Sequence, residues 1–280
     1  LGPAFVKLGQ IMSTRPDLIP NELIEELKRL QDQVEVDDID IVTLLKTELD
    51  EVTYNRIASL SSSPLASAAI SQVYTGLIDE NLPVVFKVQR PVAKQNVLAD
   101  IQLMRDLVVL IEKIDSSIKN MNMLQLIDTF EQNMIDELNF TLEKQHTIRF
   151  KEQNGGNENL SIPEIYEDFC SADVLCIEQM FGTRINEYPT RDLQPITTDT
   201  LVHNFVDTFL DQILKYGFFH ADPHPGNVLV DERGRLIFID YGSMGTLSKH
   251  EVTSVQNILI YFLLKNTDQL IEVVKDLALY

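Results

Sequence analysis

His220-Ala221-Asp222-Pro223-His224-Pro225-Gly226-Asn227 and, further on, Ile239-Asp240-Tyr241-Gly242 set two carboxylates and a carboxamide at fixed spacing. Asn227 lies five residues after Asp222, and Asp240 lies thirteen after Asn227. Between them Val228-Leu229-Val230 and Leu236-Ile237-Phe238-Ile239 are apolar runs flanking Asp231-Glu232-Arg233-Gly234. This pattern predicts two short strands and a turn. Such a hairpin brings Asn227 and Asp240 together at one end. Gly242 and Gly245 are expected to let the chain leave that end through backbone angles that other residues avoid.

The same order and spacing place the metal ions of nucleotide-phosphoryl chemistry in the protein-kinase fold. Asp222 takes the slot of the catalytic-loop carboxylate, and Asn227 and Asp240 take the two magnesium-binding slots. Phosphoryl transfer moves a group with charge on all its oxygens, so catalysis is mostly metal placement and electrostatics. Magnesium takes hard oxygen ligands and keeps several waters, so one or two protein oxygens suffice. A rival reading makes His220, Asp222 and His224 a metallohydrolase cluster. It needs further ligands, and His146, His203 and His250 lie in stretches that read as helices. The third reading is a Pro-rich surface loop.

At 280 residues the chain can bury a substantial core in one bilobal unit or two domains. Its 43 acidic against 23 basic residues give a net charge of −20, which argues against a phosphate-backbone nucleic-acid binder. The local run Glu35, Asp37, Asp38 and Asp40 reads as a solvated face. With Cys170 and Cys176 the only cysteines, neither a disulfide framework nor a cysteine zinc site is expected. No apolar run reaches the length of a membrane span. The opening Leu1-Gly2-Pro3, with neither Met nor signal peptide, leads us to expect a piece of a longer protein, truncated at its C-terminus.

Residues 3–14 read as a helix, followed by Asn21–Val34 and Asp38–Leu49. Strands are expected over Ile57–Leu60, Ala69–Ile78 and Val84–Gln89, then helices over Val92–Ile114 and Leu124–Gln153. Glu164–Tyr166 and Val174–Gln179 read as further strands, and Phe181-Gly182-Thr183 as a hinge. Beyond it, Asp199 is expected to cap a helix ending at Gly217, and two helices, Ser248–Leu264 and Thr267–Leu279, finish the chain. The fold class is therefore α+β, bilobal and kinase-like: a helical extension over 1–52, an N-lobe over 53–181 and a C-lobe over 182–280. Nucleotide at the junction of such lobes follows the general placement of cofactor sites.

Val84-Val85-Phe86-Lys87-Val88-Gln89 carries one Lys inside a β-rich run, at the position where a kinase Lys meets nucleotide phosphates. Glu137 and Glu143 are the candidate carboxylate partners. On one continuous helix they would point about 120° apart and lie about 9 Å apart along the axis. One Lys would not satisfy both, so a second cation or a metal is implied, and Lys7 is available. Where an ordinary kinase has its Gly-rich loop, Pro64-Leu65-Ala66-Ser67-Ala68-Ala69-Ile70-Ser71 contains no Gly. Small side chains still permit close approach to phosphates, but the loop should be stiffer.

Together these residues resemble the UbiB/ADCK family, the atypical kinase-like proteins of coenzyme Q and prenyl-lipid metabolism, over nearly the whole chain. Lys7-Leu8-Gly9-Gln10 matches its K-x-G-Q signature, and Ser13-Thr14-Arg15-Pro16-Asp17 continues it. Ala66, Ser67, Ala68 and Ala69 match its Ala-rich nucleotide loop, and Lys87 and Glu143 its nucleotide Lys and partner carboxylate. Glu137 matches the E-x-D motif, and Asp222, Asn227 and Asp240 the catalytic Asp and both metal ligands. The resemblance implies ATP and magnesium as cofactors, ATPase activity, and K-x-G-Q helices covering the active site, with Lys7 and Gln10 tied to the E-x-D region. It further implies a lipid or quinone-precursor ligand, quinone-biosynthesis proteins as partners, and a membrane surface of a mitochondrion, plastid or bacterial inner membrane. Asn139 stands where the motif has Asp, Ala69 where Ser is frequent, and Tyr241 where Phe is usual. Competing functions are a conventional protein or small-molecule kinase and a nucleotide-sensing scaffold without turnover.

Overall fold

The computed structural model describes residues 2–13, 37–114, 122–188 and 196–278. The expected helix Asn21–Val34 lies outside them. The chain divides into two units, Leu1–Leu142 with Glu164–Gln179 and Glu143–Pro163 with Met180–Tyr280. The division after Gln179 falls two residues before the expected junction, and the stretch from Glu143 to Pro163, expected in the N-lobe, belongs to the second unit.

In the first unit a sheet forms in the order β1 (Ile57–Leu60), β3 (Ser71–Ile78), β4 (Leu82–Gln89) and β5 (Val174–Glu178). β2 (Ala66–Ser67) pairs with β3, and all neighbours are antiparallel. Alternation fixes the two faces. Val84, Phe86 and Val88 of β4 are buried with Tyr74, Ile78, Phe169, Val174 and Cys176, beneath α2 (Ile41–Glu48). The opposite face of β4 therefore carries Lys87 and Gln89. β3 starts two residues later than expected, because Ala68 to Ile70 form the turn joining it to β2. The expected strand over 164–166 is one bridge, Ile165 to Ile177.

A second cluster of this unit packs α1 (Pro3–Ser13) on α4 (Ala93–Ile114) and α5 (Met123–Glu137), through Ala4, Val97, Ile101 and Met134. The short helix α3 (Glu51–Tyr54) precedes β1. Asp100 of α4 accepts a hydrogen bond from the Ala4 amide (3.1 Å) at the first turn of α1. A Cβ on Gly2 would stand 2.2 Å from that carboxylate, so a side chain there would push Asp100 off this hydrogen bond.

The single helix expected over 124–153 is two, α5 and α6 (Phe140–Asn154). Asn139 causes the break: its side-chain oxygen accepts from the Thr141 amide (3.1 Å) and its carbonyl from the Leu142 amide (2.9 Å). Gln89 accompanies it by donating to the Leu138 carbonyl at the end of α5 (2.6 Å). Glu137 and Glu143 thus lie on different helices, and the 120° relation derived for one helix does not apply.

In the second unit β6 (Thr183–Arg184), β8 (Val228–Val230) and β9 (Leu236–Phe238) form one antiparallel sheet, and β7 (Phe218–His220) pairs with β10 (Met244–Thr246). α7 (Thr198–Asp211) is capped by Thr197, which accepts from the Thr200 amide (3.2 Å). Asp199, the expected cap, falls inside its first turn. α7 continues as a wider turn, Gln212–Tyr216, that ends on Gly217 at φ 59°. α8 (Lys249–Leu263) and α9 (Thr267–Ala278) close the unit. The core joins Phe150 of α6 to Leu201, Phe218, Val228, Val230, Leu236, Phe238 and Tyr241.

Candidate functional site

Three of the predicted residues meet within the second unit. Asp231 shapes the hairpin turn by accepting from the Arg233 and Arg235 amides (2.9 and 2.8 Å), with Gly234 at φ 80°. The ladder extends past β8 and β9, since the Ile239 amide donates to the Asn227 carbonyl (3.1 Å). Asn227 Nδ2 donates to the Asp222 carbonyl (3.5 Å), and the Ala221 amide donates to the Ser243 carbonyl (3.0 Å). The chain entering the Asp222 loop and the chain leaving Asp240 are thereby tied together.

His220, which entered the sequence reading only as a ligand in the rival metal cluster, has a structural part here. It is 1% exposed. Its Nε2 donates to the Asp240 carbonyl (2.6 Å), its Nδ1 accepts from the Asp222 amide (3.2 Å), and its own amide donates to Gln212 Oε1 (2.9 Å). Burial holds its pKa below the ordinary imidazole value, which keeps the neutral tautomer these bonds require. With both ring nitrogens engaged, His220 has no lone pair for a metal, and His224 Nδ1 accepts from the Gly226 amide (3.1 Å). The His-Asp-His cluster of the rival reading is therefore not assembled.

α6 supplies the other side of the turn through Glu143, His146, Thr147 and Phe150, one helical face. Glu143 and Thr147 are buried, His146 Nδ1 donates to the Tyr241 carbonyl (3.0 Å), and Phe150 packs on Tyr241 with ring centres 5.2 Å apart. The i, i+3, i+4, i+7 spacing of these residues was the available signal. The Gly242 amide donates to Asp240 Oδ1 (2.8 Å). A Cβ on Gly242 would stand 3.1 Å from that oxygen and 3.8 Å from Glu143 Oε2, and one on Gly245 would stand 2.3 Å from Phe219. Neither glycine has positive φ, so an unusual backbone angle does not explain them; Gly242 is tightly approached by Asp240, and a side chain on Gly245 would displace the Phe219 ring.

The oxygens gathered here are the carboxylate of Asp240 and the carboxamide oxygen of Asn227, whose Nδ2 is turned to Asp222. That donor set fits magnesium, a hard cation that needs few protein ligands.

The remaining predicted residues lie in the first unit, apart from Glu143. Lys87 is half-buried, opposite Val73 in the β3–β4 register, with Nζ 5.4 Å from the centre of the Phe140 ring. Lys7 Nζ lies 3.0 Å from Glu137 Oε2, so the Lys7 cation is paired with the E-x-D carboxylate. Gln10 is on α1, its side chain outside the described residues. Ala66 and Ser67 pair with Val73 and Gln72, and Ala68 and Ala69 sit in the turn that follows. Asn139, the departure from E-x-D, is exposed and spends its side chain on the α6 cap.

Residues 29–274 match the ABC1 atypical kinase-like domain. The chain is 39% identical over 246 residues to the chloroplastic protein Activity of bc1 complex kinase 3 of Arabidopsis thaliana, covering 87% of this chain and 34% of that one. It is 34% identical over 261 residues to the probable protein kinase UbiB of Actinobacillus pleuropneumoniae, covering 90% of this chain and 48% of that one. It thus spans a third to a half of the length of these relatives. Rv3197 of Mycobacterium tuberculosis, solved with erythromycin, superposes with a TM-score of 0.69 at 22% identity, covering 96% of this chain and 68% of that one. The fold is α+β and protein-kinase-like.

Proposed function

The chain belongs to the ABC1 atypical kinase-like family, the UbiB/ADCK group, and on that premise we propose that it binds ATP with magnesium and acts as an ATPase or small-molecule phosphotransferase. The observation that carries this reading is the His220-held end of the second unit, where the His220 ring bonds the backbone of Asp222 and Asp240 and the Asn227 side chain bonds the Asp222 carbonyl. Asn227 and Asp240 would hold the metal. Magnesium, when bound, supplies positive charge against the phosphate oxygens.

Asp222, exposed beside these ligands, would orient the attacking hydroxyl or water and take its proton. Lys87 and the Ala66–Ala69 loop of the first unit would hold the nucleotide phosphates, Glu143 of the second would be a nucleotide-site carboxylate, and Lys7, Gln10 and Glu137 would belong to the active-site cover. We further propose, from the family resemblance, a role in isoprenoid-quinone or prenyl-lipid metabolism at a membrane, with a lipid or quinone precursor and quinone-biosynthesis proteins as partners; the relatives' names supply the kinase designation and, for one of them, the chloroplast. Among the described residues no helix is long and apolar enough to cross a membrane.

Asp240→Asn should abolish the magnesium-dependent thermal shift with ATP. A shift as large as that of the unaltered chain would sink the site assignment. Phosphate release measured with and without anionic-lipid vesicles then separates turnover from binding alone.

A further inference from the structure

The Ala-rich loop is held in the first unit by a residue to which no role has been assigned. Arg90, one position past β4, is 8% exposed, and among the described residues its guanidinium meets Ala68, Ser67 and Asp37. Nε donates to the Ala68 carbonyl (2.9 Å), Nη2 to Ser67 Oγ (2.7 Å), and Nη1 meets Asp37 Oδ2 (2.8 Å). The backbone repeats the grip, since the Arg90 amide donates to the Ile70 carbonyl (2.9 Å). A second anchor comes from β3: Gln72 Nε2 donates to the Asp37 carbonyl (3.3 Å) and to Ser67 Oγ (3.4 Å), while Gln72 Oε1 accepts from Tyr74 Oη (2.8 Å). Ile70 and Ala69, at the far end of the turn, pack into the cluster that holds Ala4, Phe5 and Leu8 of α1.

We propose that Arg90, latched to Asp37, is the positioning residue that fixes the Ala-rich loop in the place a nucleotide triphosphate requires. This inference rests on the reading of residues 66–69 as the nucleotide loop. A Gly-rich loop reaches its phosphate-binding shape through backbone freedom. This loop has no Gly, so its shape must come from side chains that hold it. Arg90 turns the Ala68 carbonyl onto a buried cation, which keeps that carbonyl dipole from the polyanion. The three acceptors lie against three different nitrogens of the planar fork, whereas a lysine carries its three N–H donors on a single nitrogen that cannot occupy all three places. β4 then sets both phosphate contacts, presenting Lys87 in its register and gripping the loop three residues later. Asp37 belongs to the acidic run that composition marked as solvated.

The test uses the whole chain with Arg90→Lys and, as a milder change in the same clamp, Ser67→Ala. Amide hydrogen exchange is read over residues 65–71 against that of β3 and β4, beside the affinity for ATP with magnesium. Arg90→Lys puts one nitrogen where the Ala68, Ser67 and Asp37 contacts use three, so it should speed loop exchange and weaken ATP binding by about tenfold each, with strand exchange unchanged. Ser67→Ala should move both the same way by less. Faster loop exchange with unaltered ATP affinity would overturn the proposal. So would unchanged loop exchange, or an equal acceleration across loop and strands, which marks a merely structural residue. If the unaltered chain bound no ATP, the proposed function would fall instead, and loop exchange alone would decide whether Arg90 is the latch.

Discussion

Each unit keeps an irregular segment still, and the two do it with opposite electrostatics. The first clamps the Ala-rich loop with a buried cation, Arg90, whose counter-charge Asp37 has a side chain 43% exposed. The second clamps the Asp222 loop to the Asp240 turn with a neutral imidazole, His220, packed against Phe238 and Tyr241 at ring-centre distances of 5.1 and 6.1 Å. The surroundings explain the choice. At the turn between β2 and β3 the carboxylate partner is half-solvated, so a charge is cheap there. Inside an aromatic core an unpaired charge would cost several kcal/mol, so a neutral donor and acceptor serve better. The first hold is therefore partly screened by salt, and the second is not.

The largest effect should come from removing the neutral clamp. His220→Ala leaves the Asp240 carbonyl and Asp222 amide without their partner and opens a cavity beside Phe238. A loss of about 3 kcal/mol is expected, read from denaturant midpoints. The magnesium-dependent ATP shift should vanish with it, whereas Arg90→Lys should spare global stability. If His220→Ala kept its midpoint, the contrast between the two clamps would be broken.

A smaller effect is expected at Asn139. Asn139→Ala removes the cap of α6 and should cost about 1 kcal/mol, while Asn139→Asp, an equally good cap, should cost little. Thermal melts of the pair decide. Equal losses would mean that the amide itself, and not the capping oxygen, is what this position needs.

The sequence made legible what local rules dictate. Strands flank Asp231 and Gly234 because alternation and turn chemistry agree there, and this alone delivers Asn227 and Asp240 to one end. Lys87 is legible because β4 alternates cleanly. Arg90 and Asp37 were not, because their contacts join segments far apart in the chain, and an acidic run looks the same whether it is solvated or latched. The break at Asn139 was missed because neither Gly nor Pro marks it, and a single Asn cap is a faint signal within thirty helix-compatible residues. Gly242 and Gly245 were read as freeing the backbone, when what the structure shows at them is close approach, of the Asp240 carboxylate to the first and of the Phe219 ring to the second. Periodicity cannot report such packing.

The smallest expected effect bears on how neutral the second clamp has to be. Tyr241 is 2% exposed, burial pushes its phenol pKa up, and its hydroxyl has no hydrogen-bond partner among the described residues. A buried hydroxyl left this way costs about 1–3 kcal/mol of desolvation, offset by the ring's packing on Phe150. Tyr241→Phe keeps the ring and removes the oxygen, and the His146 bond survives because it goes to the backbone carbonyl. Stability should stay level or rise by about 1 kcal/mol, with the magnesium-dependent ATP shift unchanged. A fall in the denaturant midpoint would show that the hydroxyl contributes a polar contact inside the aromatic core. The second clamp would then depend on polar satisfaction as the first does, and the contrast would narrow to the charge on Arg90.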